Sequence, residues 1–255
     1  MIFSIPNSAK AAGFMLNGLG AHSSRTIMLK ELSLLLTSRP LNSLFKEYAQ
    51  AILEDNVLLK QTVSTRAKSL RYLRELYALD QQIILFRALR DLWSSDHDAN
   101  SMIALQCALA RDSSLRATAP LILELTPGTS VNSEDFSRIV QENLKGRVQT
   151  DTLAKIGRNA GSSWTQSGHL AGRTNKVRSQ AHPLPASVAY ALFLGYLCGE
   201  RGEGLFYTPW AKLLDAPSHT LHNQAQAAAQ FGWLEYRHSG TVTDITFRHF
   251  LRTPS

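Results

Sequence analysis

From residue 8 to residue 142 apolar side chains recur at spacings of three and four, and no alternating stretch is sustained, so this part of the chain predicts helices almost throughout. The clearest stretch is Thr65–Trp93, where Leu70, Leu73, Leu76, Tyr77, Ile83, Ile84, Leu89 and Leu92 form one stripe interrupted near Asp80. It reads as one bent helix or two. Further helices are predicted over Ser24–Leu36, Leu41–Leu53, Asn100–Leu109, Ser114–Glu124 and Ser133–Leu144, several with a Ser or Asn placed to cap the first turn. Short polar connections such as Ser94–Ala99 and Thr126–Asn132 imply neighbouring helices packed as a bundle.

The pattern changes near Gly146. Thr150 or Asp151 can cap a helix running to about Trp164, after which Gly168 and Gly172 break it ahead of the basic run Arg173–Arg178. Pro183 and Pro185 then mark a seam at about 172–185, because proline ends helices but also starts them well. Beyond the seam come an apolar helix Ala186–Cys198, a short helix Pro209–Leu214 that Thr208 can cap, a turn at Asp215–Pro217 and a longer helix from Ser218 to Phe231. Two alternating segments, Trp233–His238 and Thr241–Phe247, flank Ser239-Gly240, a dipeptide suited to a tight hairpin. Helix, short helix, turn, helix and hairpin is the order of a winged helix-turn-helix. The expected fold is mainly α, with a helical bundle over 1–145, a basic helix and linker over 146–184 and a winged-helix-like region over 185–255.

Charge sharpens this division. Residues 1–142 hold 15 basic and 14 acidic side chains and residues 143–255 hold 12 and 6, so nearly all of the net +7 lies in the second part. Between Asn143 and Gly199 stand Lys145, Arg147, Lys155, Arg158, Arg173, Lys176 and Arg178 against one acid, Asp151. Such asymmetry marks a surface that meets a polyanion. Helix Ser218–Gln230 adds His219, Thr220, His222, Asn223, Gln224, Gln226 and Gln230, all able to bond base edges, and no acid lies between Asp215 and Glu235. The helix also holds no Lys or Arg, so phosphate contacts must come from flanking groups such as Lys212, Arg237, His238 and Arg248. A third cluster, Lys60, Arg66, Lys68, Arg71 and Arg74, reads better as a structural or solvated face, with Glu75 and Asp80 near Arg74. Trp164 reads as a core residue that donates its N–H to a backbone carbonyl rather than as a base-stacking platform.

Signals for catalysis are missing from the linear sequence. No acid has a Lys two residues after it, and the phosphate-loop, dinucleotide, nucleophile-elbow and H-E-x-x-H patterns are all absent. His219 and His222 stand three apart without a Cys or carboxylate nearby in sequence, so neither a metal nor a cofactor is expected. The 44% hydrophobic composition supports a sizeable core. Cys107 and Cys198 lie in apolar stretches that favour buried free thiols. With no basic leader at the N-terminus and no apolar run of membrane-spanning length, the expectation is a cytoplasmic protein.

The stretches Ala51–Leu79, Leu85–Trp93 and Leu153–Leu170, followed by a winged-helix-like tail, together resemble the BrxA family, small helical proteins encoded in BREX-type bacterial phage-defence loci. The resemblance covers most of the chain in order of elements. Its most specific parts are Glu54, Asn56, Leu58 and Lys60 with the following Thr65-Arg66, and the ending around Ser163 and Leu170. It implies an all-helical core with a likeness to the NusB antitermination fold, a non-enzymatic DNA-binding role within the defence machinery, other defence proteins as partners, and family-type positions at Lys60, Arg66, Arg158 and Trp164. Together with the charge pattern, it gives Lys60, Arg66, Lys155, Arg158, Arg173, Lys176, Arg178, Asn223 and Arg237 as candidate nucleic-acid contacts, with duplex DNA as the expected, largely non-specific ligand. The alternative is a scaffold that docks onto a larger defence enzyme through aromatic residues such as Phe206, Tyr207 and Trp210.

Overall fold

The computed structural model describes residues 3–143, 148–240 and 242–253, so Lys145 and Arg147 of the basic set lie outside the described residues. After two short 3-10 turns, six helices follow in order: α1 (Leu29–Thr37), α2 (Phe45–Leu53), α3 (Val63–Tyr77), α4 (Ile84–Trp93), α5 (Asn100–Arg111) and α6 (Ser113–Glu124). The interrupted stripe over Thr65–Trp93 is therefore two helices. The break follows Tyr77, where Ala78 and Leu79 both take positive φ. Side chains cap two of these helices, though from residues other than the Ser and Asn positions expected: Thr62 accepts from the Thr65 amide and starts α3, and Asp112 accepts from the Ser114 and Leu115 amides and starts α6, with Ser114 inside the helix.

Strand β1 (Ser130–Val131) leads into α7 (Ser133–Asn143), whose first turn is capped by Asn132 Oδ1. Helix α8 (Thr150–Gln166) then packs against α7 so closely that a Cβ on Gly157 would stand 2.2 Å from the Ser133 carbonyl oxygen. The segment expected to be a linker is instead folded. Strands β2 (Leu170–Ala171) and β3 (Lys176–Arg178) pair antiparallel, and β1 pairs with the other edge of β3, giving a small sheet of order β1-β3-β2.

Helix α9 (Pro185–Leu197) begins at a proline, as expected, and is buried on all sides from Ala186 to Gly195. A helix without a polar face belongs at the centre of a molecule. Here α5 and α4 of the first part and α10 (Pro209–Lys212) and α11 (Ser218–Gln230) of the second pack around it. Gln106 Nε2 donates to the Ser187 carbonyl at 3.2 Å, and the Tyr190 hydroxyl donates to that of Leu85 at 3.0 Å. One apolar cluster consequently runs from Phe3 to Phe250, and the seam expected at 172–185 does not divide the core. The chain closes with the hairpin β4 (Glu235–Ser239) and β5 (Val242–Thr246), registered from Glu235 opposite Thr246 to Ser239 opposite Val242, and with α12 (Arg248–Leu251). The architecture is mainly helical with small antiparallel strand pairs. No helix among the described residues is long and apolar enough to cross a membrane.

Candidate nucleic-acid interface

Helix α11 acquires two faces from its sequence. Leu221, Ala225 and Ala228, at spacings of four and three, are buried towards α9. The opposite side exposes His219, Asn223, Gln226 and Gln230 at the same spacings. Between this face and the β4–β5 hairpin lies an open groove of about 640 Å³ lined by His219, His222, Asn223, Gln226, Tyr236, Arg237 and His238. Amides, imidazoles and a guanidinium thus converge on one concavity. Arg237, Lys212 and Arg248 are exposed, the last with its guanidinium 3.4 Å from the Glu235 carboxylate.

A second set of cations stands on α8. Its apolar side, with Leu153, Ile156, Ala160 and Trp164, is buried, and Lys155 and Arg158 project from the other side one turn apart. Trp164 is wholly buried and donates its indole N–H to the Thr118 hydroxyl at 2.8 Å, as expected of a core tryptophan, though a side chain accepts rather than a carbonyl. Arg173 is exposed on the β2–β3 connection. Lys176 is half-buried, its ammonium 3.0 Å from the Thr165 hydroxyl, and burial lowers its pKa.

Arg178 does not belong to that surface. It is 4% exposed, and its guanidinium forms a two-pronged pair with Asp215 at 2.8 and 2.6 Å while donating to the carbonyls of Ile122, His169 and Ser179. All of its donors point inward, so it ties β3 to α6 and to the turn before α11 and presents no charge to solvent. Lys60 and Arg66 are also committed to the fold. Lys60 Nζ bonds Glu31 at 2.9 Å, its amide is held by Asn56 Oδ1, Leu58 is buried, and Arg66 Nη1 donates to the Leu53 carbonyl. The Glu54–Lys60 motif builds the α2–α3 connection, where Asn56 and Leu59 take positive φ. Arg71 and Arg74 lie over the Tyr72 and Phe45 rings, in keeping with a structural reading of this cluster. Of the nine candidate contacts, Lys155, Arg158, Arg173, Asn223 and Arg237 are exposed.

The aromatics expected to form a docking patch are mostly internal. Phe206 stacks on the His222 ring at 3.8 Å, and Trp210 is wedged edge-on against Phe3 and Phe14, leaving only Tyr207 of the three exposed, at 62%. Both cysteines are free, and burial raises each thiol to about 11.

Two histidines are buried: His22, which no sequence pattern singles out, and His169, which with Ser163 reads in the sequence as part of the polar basic segment but lies inside. His22 Nδ1 donates to Asp112 at 2.8 Å, and its Nε2 lies 2.8 Å from Ser163 Oγ. The three residues have the order of contacts of a hydrolytic relay, yet all are essentially inaccessible. Ser163 Oγ also donates to the Asn159 carbonyl and accepts the Ile27 amide, so the set acts as a pin between the N-terminal segment, α6 and α8.

His169, packed edge-on against Trp164, donates through Nε2 to the Leu213 carbonyl at 2.8 Å. Burial holds its pKa down at about 4, with Asp215 and the Leu213 carbonyl opposing and Arg178 acting in the same direction as burial. The unfolded chain takes up this proton near pH 6.5, so the contribution to stability is complete above that pH and is lost as pH falls towards 4. Between pH 7 and pH 4 the wild type should lose on the order of 3 kcal/mol more than His169→Gln, measured by urea unfolding. Equal losses in the two proteins would remove His169 as the cause.

Compared with known proteins, the chain matches no family model and no curated protein sequence.

Proposed function

We propose that the protein is a non-enzymatic, DNA-binding component of a bacterial phage-defence system, and that α9 to β5 act as a winged helix with α11 as the reading helix and β4–β5 as the wing. The observation that carries the DNA reading is the exposed face His219, Asn223, Gln226 and Gln230, set beside a hairpin bearing Arg237 across an open groove. A single helix with this face fits a major groove, where Asn and Gln match adenine edges. Because α11 has no cation of its own, backbone affinity falls to Arg237 and Lys212 beside it and to Lys155, Arg158 and Arg173 on and after α8. The defence role rests on the sequence resemblance set out above.

Fluorescence anisotropy across a salt series tests both cation sets. Replacing Lys155, Arg158 and Arg173 with Ala should weaken binding to all duplexes alike and flatten the dependence of log K on log salt by about one unit per lost phosphate contact. Asn223→Ala with Gln226→Ala should instead cost roughly 10- to 100-fold on the best duplex and little on the others. Equal affinity for single-stranded DNA, duplex DNA and duplex RNA would sink the groove-reading part of the proposal. Absence of binding to all three would sink the whole of it and turn attention to a protein partner.

A further inference from the structure

Beneath the DNA-facing groove, three residues from three elements converge: Glu203 from the 3-10 turn Gly202–Tyr207, His222 from α11 and His238 from β4. One ring nitrogen from each imidazole and one carboxylate oxygen all lie within 4.8 Å of one another, and His222 Nε2 is 3.2 Å from Glu203 Oε1. We propose that Glu203, His222 and His238 form a binding site for a divalent transition-metal ion of the zinc class, which clamps the β4–β5 hairpin to α11.

The donor set selects the ion. Two imidazoles with one carboxylate suit zinc and its borderline neighbours, whereas magnesium and calcium require an oxygen cage. Three protein ligands leave a fourth position for water.

Each ligand is also held by an orienting partner, as metal ligands are. His222 Nδ1 lies 2.8 Å from the Tyr236 hydroxyl, and Phe206 packs flat on the ring. His238 Nδ1 lies 2.9 Å from the Thr243 hydroxyl, which itself donates to Glu203 Oε2 at 2.5 Å. The backbone is shaped to bring the carboxylate in. Gly202 takes φ +52° and passes so near β5 that a Cβ there would stand 2.7 Å from the Thr243 carbonyl oxygen. Only glycine permits that approach, and the next residue is the ligand. The alternative occupant of the gap is the His222 proton, which a metal replaces on binding.

The assignment is independent of whether the groove takes DNA, and its test involves none. Untagged full-length protein, stripped with chelator and dialysed, is titrated with zinc chloride by calorimetry, and in parallel with cobalt(II) to read the visible band of a nitrogen- and oxygen-ligated low-coordinate ion. The expected result is one equivalent bound at micromolar or lower Kd, with a raised Tm. His238→Ala removes an exposed ligand without disturbing the core and should weaken binding at least about 10- to 100-fold, the range seen for loss of even an orienting partner. Glu203→Gln should do the same. Failure of the wild type to bind one equivalent, or unchanged affinity in both variants with their thermal unfolding intact, would overturn the site.

Discussion

Arg178→Ala should destabilise the protein by about 3–5 kcal/mol, because it leaves the Asp215 carboxylate, itself only 12% exposed, without its cation. For a chain of this length that corresponds to a fall in Tm of roughly 10 °C. The loss goes beyond one pair. Asp215 Oδ2 also accepts the Ala181 amide, and the guanidinium satisfies three carbonyls drawn from α6 and from around β2 and β3. Arg178→Lys should recover less than half of the loss, since a single ammonium cannot reproduce a two-pronged contact and three carbonyl bonds together. Arg173→Ala, five residues away and exposed, should fall within about 0.5 kcal/mol of wild type. Thermal and urea unfolding of the three variants decides the matter. A loss below about 1 kcal/mol in Arg178→Ala would mean that the pair is replaced by water at little cost.

Arg178 also shows where the sequence stops being legible. Arg173, Lys176 and Arg178 follow one another in a polar segment, and nothing local distinguishes the one that turns inward. The distinction is made by β3, a strand of three residues, too short to show alternation, and by an acid 37 residues away. Helices were legible because most carry a periodic apolar stripe, while α9, apolar all round, was placed by the proline that starts it. α3, α5, α6, α7, α8, α9 and α11 lie close to the segments predicted for them, and the β4–β5 hairpin turns at the expected dipeptide. The three-stranded sheet was not legible, since its strands are two or three residues long. In the same way, the polar residues of α11 were legible as a set, without the division that half-buries Thr220, His222 and Gln224, and the carboxylate beneath His222 was not legible at all. A search for ligands near His219 and His222 in sequence finds none, whereas the fold supplies Glu203 from 19 residues before His222 and His238 from the facing hairpin. Local chemistry is written locally, and convergence is set by turns such as Gly202.

The second large effect is expected at Asp112. Its two oxygens accept four N–H groups: Oδ2 takes the His22 amide at 2.9 Å and His22 Nδ1 at 2.8 Å, and Oδ1 takes the amides of Ser114 and Leu115 at 2.9 and 3.1 Å. Gly20, at φ +64°, lets the N-terminal segment come this close, since a Cβ there would stand 2.3 Å from the carboxyl carbon. Burial alone would raise the Asp112 pKa, but the His22 ring and the main-chain donors more than offset it and hold it below the ordinary carboxylate value. A group lowered on folding stabilises above its unfolded pKa, about 3.9, and that contribution is lost as pH falls through the folded value. Its window is therefore more acidic than that of His169, and the two can be separated by titrating stability from pH 7 to pH 2.

Asp112→Ala should cost about 3–5 kcal/mol at pH 7, by orphaning a buried imidazole and uncapping α6. Asp112→Asn should cost nearly as much. One amide oxygen can still cap the helix, but the amide nitrogen then faces two N–H donors of His22. Both variants should lose the part of the fall in stability below about pH 4 that Asp112 is expected to contribute in the wild type. A near-neutral Asp112→Asn with the acid limb unchanged would mean that His22 finds another partner, and that the tie between the N-terminal segment and the centre of the molecule lies in the surrounding apolar contacts instead.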